Sequence, residues 1–149
     1  MLELNSLLVP TDFSAPSRDA FRFALQAASG DAPMILLLHV IDPSLVDYAI
    51  AHGWGEHDEI VSTVRRQAEE QLADYRTENG ANVQIETIVC EGMPFLEIIR
   101  KAEEFHVDAV VMGKVGTRGK VEKLLFRTTA ERVVRGSTRP VIILPIAED

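Results

Sequence analysis

Apolar, strand-like runs and amphipathic, helix-like segments alternate along this chain, and that alternation restricts the possible folds more than any other feature. The clearest strand pattern is Met34–Ile41, eight residues that are almost wholly apolar, as in a strand covered on both faces. Strand patterns occupy residues 7–9, 34–41, 83–89, 108–112 and 140–145, and helical patterns occupy residues 14–30, 61–80, 93–102 and 122–134. Five strands and four helices in strict alternation require crossover connections. The sequence therefore predicts an α/β fold with an open, mostly parallel five-stranded sheet and helices on both faces.

Some segments carry finer signals. Residues 83–89 alternate between apolar and polar side chains, which predicts a strand near a sheet edge. Residues 42–57 show no clear period and are expected to form a looser segment. The last helix is expected to turn four apolar side chains inward, namely Phe126, Ala130, Val133 and Val134.

Composition narrows the class of protein. A chain of 149 residues with 46% apolar residues fits one domain over residues 1–149. No apolar stretch approaches the roughly 20 residues needed to span a bilayer, and the start lacks the layout of a signal peptide. The only cysteine, Cys90, has no partner for an internal disulfide and is expected to be inert. We expect a cytoplasmic protein with no membrane partner.

A glycine-rich, basic turn follows the fourth strand pattern. Its sequence is Gly113-Lys-Val-Gly116-Thr-Arg-Gly119-Lys120, between a buried strand and the start of a helix near Glu122. Backbone N–H groups at such a turn and the helix terminus hold anions. Residues 114–139 contain eight Lys and Arg residues against two Glu, about +6, whereas the whole chain is −8. This distribution disfavours a nucleic-acid partner and favours a small ligand that carries phosphate.

The end of the first strand pattern carries the other polar group of interest, Thr11-Asp12. In open parallel sheets, ligands bind at the carboxyl ends of the strands where the strand order reverses. If the first and fourth strands are neighbours, Asp12 faces the glycine-rich turn across one crevice, an arrangement suited to a nucleotide. Both the aspartate and the glycines also have a purely structural interpretation. Asp12 beside Ser14 is typical of turn and capping chemistry, and Gly113 and Gly116 are also typical turn residues.

Two histidine-containing segments have simpler interpretations. The segment His52-Gly-Trp-Gly-Glu-His-Asp58 matches no familiar zinc pattern, and we expect no metal site there. A mobile loop beside the ligand site is favoured, in which Trp54 stacks on a ligand or a partner. His39 lies inside an apolar strand and is expected to be a hydrogen-bonded core residue.

The chain resembles the universal stress protein family over almost its whole length. Five stretches carry the resemblance: residues 8–14 (LVPTDFS), 37–42 (LLHVID), 91–94 (EGMP), 107–113 (VDAVVMG), and 130–135 (AERVVR) leading to 139–143 (RPVII). The resemblance implies a Rossmann-like fold, similar to the adenine nucleotide α-hydrolases, with adjacent first and fourth strands. It also implies a homodimer joined through the last strand, Val141–Leu144.

The same resemblance implies a site for ATP or AMP, with or without Mg²⁺. Pro10, Thr11, Asp12 and Val40 would line its adenosine end, Met112 would also bind the nucleotide, and the phosphates would meet Gly113, Gly116, Arg118 and Gly119. Many members have Gly-x-x-Gly, about nine residues, and then Gly-Ser/Thr. Here Arg127-Thr128 stands at the last position, after ten residues. Arg127 either reaches the phosphates, with Lys114, Arg118 or Lys120 assisting, or closes the pocket with its bulk.

Three classes of function remain open. The first is a nucleotide-binding regulatory protein of the stress response that acts on an unidentified protein partner. The second is a dimeric interaction module without nucleotide, which Arg127 favours. The third is a slow ATP hydrolase, for which no acid beyond Gly113 is persuasively placed. Accordingly, we expect no catalytic residues.

Overall fold

The computed structural model describes residues 2–79, 83–113 and 129–145. The strands are β1 (Ser6–Pro10), β2 (Met34–Ile41), β3 (Gln84–Glu91), β4 (Ala109–Gly113) and β5 (Val141–Leu144). They form one parallel sheet in the order β3-β2-β1-β4-β5. This confirms the predicted parallel sheet, and β3 lies at an edge, as its alternating pattern predicted.

The helices within the described ranges are α1 (Ala15–Ala27), α2 (Pro43–Ala51), α3 (His57–Arg76), α4 (Pro94–Glu104) and α5 (Thr129–Gly136). The expectation that residues 42–57 form a looser segment was wrong, because most of them form α2. The predicted total of four helices was wrong for the same reason, since two helices connect β2 to β3. The predicted helix start near Glu122, and Phe126, lie outside the described residues.

Alternation of side chains along the central strands produces two apolar layers. Leu7 and Val9 of β1 point to the face that α1 and α3 cover, where Phe21 and Tyr75 are buried. Leu8 points to the opposite face, which α4 and α5 cover. Such strands have no solvent-facing side, and this explains their almost continuous apolar sequence.

One side chain of α5 does not face this core. Ala130 and Val133 are buried as predicted, whereas Val134 is 54% exposed, so its predicted inward orientation was wrong. Ala130 and Val133 lie three residues apart and share a buried cluster with Ile98 and Ala102 of α4. Val134 lies beside this buried stripe on the helix and faces solvent.

The strand order changes direction between β1 and β4. From β1 the chain proceeds outward to β2 and β3, and it then returns to β4 on the other side of β1. Neighbouring crossovers diverge at such a point and leave a crevice at the carboxyl ends of the two strands. The carboxyl ends of β1 and β4 are therefore adjacent, as the crevice hypothesis required.

Candidate functional site

A cavity of about 870 Å³ lies at the carboxyl ends of β1, β2 and β4. Six of the predicted site residues line it: Pro10, Thr11, Asp12, Val40, Met112 and Gly113. The other predicted site residues, Gly116, Arg118, Gly119, Arg127 and Thr128, lie outside the described residues. The structure thus brings the predicted residues of β1, β2 and β4 together around one space, within the size range of ligand pockets.

Asp12 stands on one side of this cavity, in the turn that leads from β1 into α1. The Ser17 hydroxyl donates a hydrogen bond to Oδ1 of Asp12 (2.7 Å), and the Ser14 N–H donates to the same oxygen (3.0 Å). Ser14 is also the N-cap of α1, where its hydroxyl accepts from the Ser17 N–H. Asp12 therefore takes part in the turn and capping interactions that the sequence suggested. The same hydrogen bonds hold its carboxylate at the cavity.

These hydrogen bonds set the charge of Asp12. Partial loss of hydration acts to raise the pKa of the Asp12 carboxyl, but the hydrogen bonds from Ser14 and Ser17 outweigh that effect, and the pKa is lowered. Although the residue is exposed on its solvent side, its Oδ1 is well satisfied. Asp12 is consequently an ionised hydrogen-bond acceptor at neutral pH.

Thr11 anchors this turn from below. It is buried, at 5% exposure, and its hydroxyl is 2.8 Å from the hydroxyl of Tyr75, which is 1% exposed on α3. The Thr11 hydroxyl also accepts from the Phe13 N–H, and Nδ1–H of His39 donates to the Thr11 carbonyl oxygen at 2.8 Å. His39 is hydrogen-bonded as expected, but the expectation that it is a core residue was wrong, because it is only half-buried and lines the cavity. We call Thr11, Asp12, Ser14 and Ser17 the polar wall.

The turn that carries the polar wall contains one strained backbone position, at the residue between Asp12 and Ser14. Phe13 has a φ of +68°, in the left-handed region that side-chain-bearing residues avoid. Its ring packs 4.6 Å from the His39 ring and 6.1 Å from the Tyr75 ring. These ring contacts stabilise Phe13 in this conformation and offset part of the strain.

Gly113 forms the end of β4 and lies against the first turn of α1. An added Cβ would lie against the carbonyl oxygen of Pro16, 2.6 Å from its carbonyl carbon. A side chain at residue 113 would therefore collide with helix backbone. Gly113 has a packing reason to be glycine, alongside the role in phosphate binding that the sequence suggested.

On the side of the cavity opposite the polar wall, the sequence had predicted only Trp54, as a residue that stacks on a ligand or a partner. This side consists of α2 and the beginning of α3, and its lining includes Leu45, Val46, Tyr48, Ala49, Trp54, Glu59, Ile60, Thr63 and Val64. Ile41, Val46 and Val61 form a small buried cluster that attaches α2 to α3. The sequence signal that could have revealed α2 is the pair Asp42-Pro43. Asp42 is the N-cap of the helix and accepts a hydrogen bond from the Ser44 N–H at 2.9 Å, and Pro43 occupies the first turn.

The remaining sequence hypotheses concern metal and thiol chemistry. No group of three or more potential ligands is arranged to hold a metal ion within residues 2–79, 83–113 and 129–145. His57 instead pairs with Asp58, whose hydrogen bond raises the histidine pKa. Burial raises the pKa of the Cys90 thiol, which disfavours the reactive thiolate.

The fold and the cavity define an α/β protein with a cavity at the strand-order reversal. Comparison with known proteins identifies its family. Residues 3–145 match the model of the universal stress protein family, and the chain belongs to that family. In the ranges described, none of the helices has the length and apolar character needed to cross a membrane.

Curated relatives support the assignment. Universal stress protein MJ0531 of Methanocaldococcus jannaschii is 30% identical over 139 residues, which cover 93% of this chain and 80% of that protein. Universal stress protein YxiE of Bacillus subtilis is 30% identical over 146 residues, covering 94% and 98% of the two chains.

Solved structures confirm the fold. The structure of MJ0577 superposes with a TM-score of 0.83 at 23% identity, covering 99% of this chain and 100% of that one. A universal stress protein in complex with cAMP superposes with a TM-score of 0.65 at 22% identity, covering 97% and 98% of the two chains.

Proposed function

We propose that this universal stress protein binds an adenine nucleotide, ATP or AMP, in the cavity and acts as a nucleotide-dependent regulator of the stress response. The observation that carries the proposal is the position of Asp12. An ionised, hydrogen-bonded carboxylate lines a largely apolar cavity at the strand-order reversal of a parallel sheet. Nucleotides bind at this position in open α/β sheets.

The cavity suits the two halves of a nucleoside. The second oxygen of Asp12 is available to accept a hydrogen bond from a ribose hydroxyl or a base N–H, because the bonds from Ser14 and Ser17 both go to Oδ1. Val40 and Met112 supply apolar surface for the base. In this arrangement the adenosine lies against β1 and β2, as the family resemblance implies.

The phosphates would extend past Gly113. The sequence beyond it is the most basic part of an acidic chain, and our prediction that Gly116, Arg118, Gly119, Arg127 and Thr128 contact phosphate belongs to this proposal. Mg²⁺ would accompany ATP as its counterion. The cAMP complex of a protein with the same fold supports this proposal.

Three further features belong to the same proposal. We expect one domain over residues 1–149 that works in the cytoplasm. We also expect a homodimer through Val141–Leu144, since β5 is an edge strand whose four residues are all partly exposed. A protein partner would then sense the nucleotide state of the dimer. Hydrolysis is not required for this role.

The test is calorimetric titration of nucleotide-free protein with AMP and with ATP in the presence and absence of Mg²⁺. Asp12→Ala should weaken binding by about 1–3 kcal/mol, through loss of a hydrogen bond to a charged acceptor. Asp31→Ala is the matched control, because Asp31 is an exposed carboxylate at the opposite end of the strands. Equal affinities for the Asp12 and Asp31 variants would remove Asp12 from the site.

A further inference from the structure

Three aromatic rings cluster at the end of α2, on the side of the cavity that faces the polar wall. The Tyr48 and His52 rings lie 4.0 Å apart, and the Trp54 ring lies 5.4 Å from His52 and 5.8 Å from Tyr48. Tyr48 and Trp54 line the cavity, yet they are 55% and 66% exposed. We call these three residues the aromatic rim.

The backbone holds the rim in place. Gly53 has a φ of +72°, and its N–H donates to the Ile50 carbonyl oxygen at 3.0 Å. The Trp54 N–H donates to the Ala49 carbonyl oxygen at 3.1 Å. These two bonds form a Schellman motif, a rigid helix end that requires a left-handed residue at the position of Gly53. The segment expected to be a loop thus fixes the Cα of Trp54 relative to α2.

Gly53 is needed for its backbone conformation and not for lack of space. Among the residues that the structure describes, none lies within 4 Å of the position where a Cβ would be, so a side chain there would meet no obstacle from them. The glycine is instead needed for its positive φ, and the consequence of that φ is the turn that brings Trp54 back alongside α2. The exposed indole is therefore presented by an ordered backbone.

An indole held at the edge of an apolar cavity is a stacking surface. Exposed aromatic rings leave apolar area in water, and a planar ligand removes that area without any polar group being buried unpaired. Nucleobases have such planar faces, and each base that stacks on an aromatic side chain contributes substantially to binding. Larger rings overlap more area, so a purine gains more than a pyrimidine.

We propose that the aromatic rim stacks on the base of the bound nucleotide, with Trp54 as the contact residue, and that it selects purines over pyrimidines. Tyr48 and His52 act as positioning residues that support the indole from behind. The inference rests on the proposed nucleotide site. It adds the side of the cavity that binds the base and a residue that determines specificity.

Trp54 is the only tryptophan of the chain, which permits a direct readout. A purine stacked on an indole quenches its fluorescence. Emission at 295 nm excitation is to be followed while adenosine, AMP, UMP and ATP–Mg²⁺ are added, with free N-acetyltryptophanamide as the absorbance control. We expect saturable quenching by adenosine and AMP, and at least tenfold weaker binding of UMP.

Variants separate stacking from structure. Trp54→Ala should weaken AMP binding by about 5- to 100-fold and reduce the AMP/UMP preference to within about threefold. Trp54→Phe keeps a ring and should recover most of the affinity. Phe105→Ala, at the far end of α4, removes an exposed aromatic residue outside the cavity lining and should leave the Kd unchanged.

Calorimetry distinguishes the possible failures. If AMP binds to Trp54→Ala as tightly as to the wild type, and the wild-type emission is unaffected at saturation, the stacking proposal is wrong while the nucleotide site stands. If no nucleotide binds to the wild type by either method, both proposals are wrong.

Discussion

The two sides of the cavity are stabilised in opposite ways. The polar wall depends on hydrogen bonds that reach the core, because Thr11 joins Tyr75 of α3 and His39 of β2. The aromatic rim belongs to a nine-residue helix with a small apolar cluster beneath it and an exposed outer surface. One side is fixed by tertiary contacts, and the other by a local helix end.

This difference suggests that the two sides of the cavity recognise different parts of the ligand. A group recognised by a charged acceptor needs an accurate position, which buried hydrogen bonds provide at Asp12. A base recognised by stacking tolerates small displacements, so a helix attached by few contacts is sufficient. We therefore expect substitutions beneath the polar wall to affect global stability, and substitutions at the rim to affect mainly local order and binding.

The largest effect is expected where the end of β4 meets the first turn of α1. Gly113→Ala places a Cβ against the backbone of Pro16 in the first turn of α1, so the helix or the strand must shift. We expect a loss of about 3 kcal/mol in the free energy of unfolding, measured by urea denaturation.

The control for that substitution is Gly136→Ala. Its Cβ would meet only the terminal carbon of the flexible Ile99 side chain, so we expect a smaller loss of stability. Equal losses for the two variants would show that the contact between β4 and α1 is not the reason for glycine at residue 113.

An intermediate effect is expected from the two tyrosines of the chain, Tyr75 buried beneath the polar wall and Tyr48 exposed in the aromatic rim. Tyr75→Phe removes the hydroxyl bonded to Thr11 in a buried setting and should decrease the free energy of unfolding by about 1–2 kcal/mol. Tyr48→Phe alters an exposed hydroxyl and should change stability by less than about 0.5 kcal/mol.

Ligand titration sharpens the tyrosine comparison. Tyr75→Phe should weaken AMP binding through the altered position of Asp12, whereas Tyr48→Phe keeps the ring and its support of Trp54. Similar thermal and binding behaviour of the two variants would contradict the division between a core-anchored wall and a locally held rim.

The smallest effect is expected at the Schellman motif. Gly53→Ala forces a side-chain-bearing residue into a left-handed conformation, a penalty of about 1 kcal/mol. Amide hydrogen exchange at Trp54 should accelerate, with little change at Thr11. Gly53→Asn should show a weaker effect, since asparagine tolerates this conformation better. Unchanged exchange at Trp54 in both variants would show that the turn does not hold the rim.

The sequence was sufficient for the sheet because its three central strands, β1, β2 and β4, are largely buried on both faces. Their apolar runs cannot be confused with surface helices, and the alternation in residues 83–89 identified an edge strand. Neighbouring β1 and β4 followed from the family resemblance. The Asp12 turn was also visible, because Asp and Ser before a helix are typical capping residues.

Tertiary contacts account for the features that were missed. Val134 was predicted to face the core with Val133, but the side chains of α5 that are buried against α4 are Ala130 and Val133, and Val134 faces outward. Helix α2 was obscured because its outer surface is aromatic and apolar, which removes the usual amphipathic pattern. The contact of Gly113 with Pro16 joins residues nearly a hundred positions apart, and no local pattern encodes it.

The most direct test of the central claim is titration of the stripped wild-type protein with AMP and ATP–Mg²⁺ by calorimetry, after mass spectrometry has shown that no nucleotide remains bound. We expect saturable heat with a Kd in the micromolar range. No heat at millimolar concentrations of either nucleotide would contradict the claim, and the cavity would then belong to a family member that acts without adenine nucleotides.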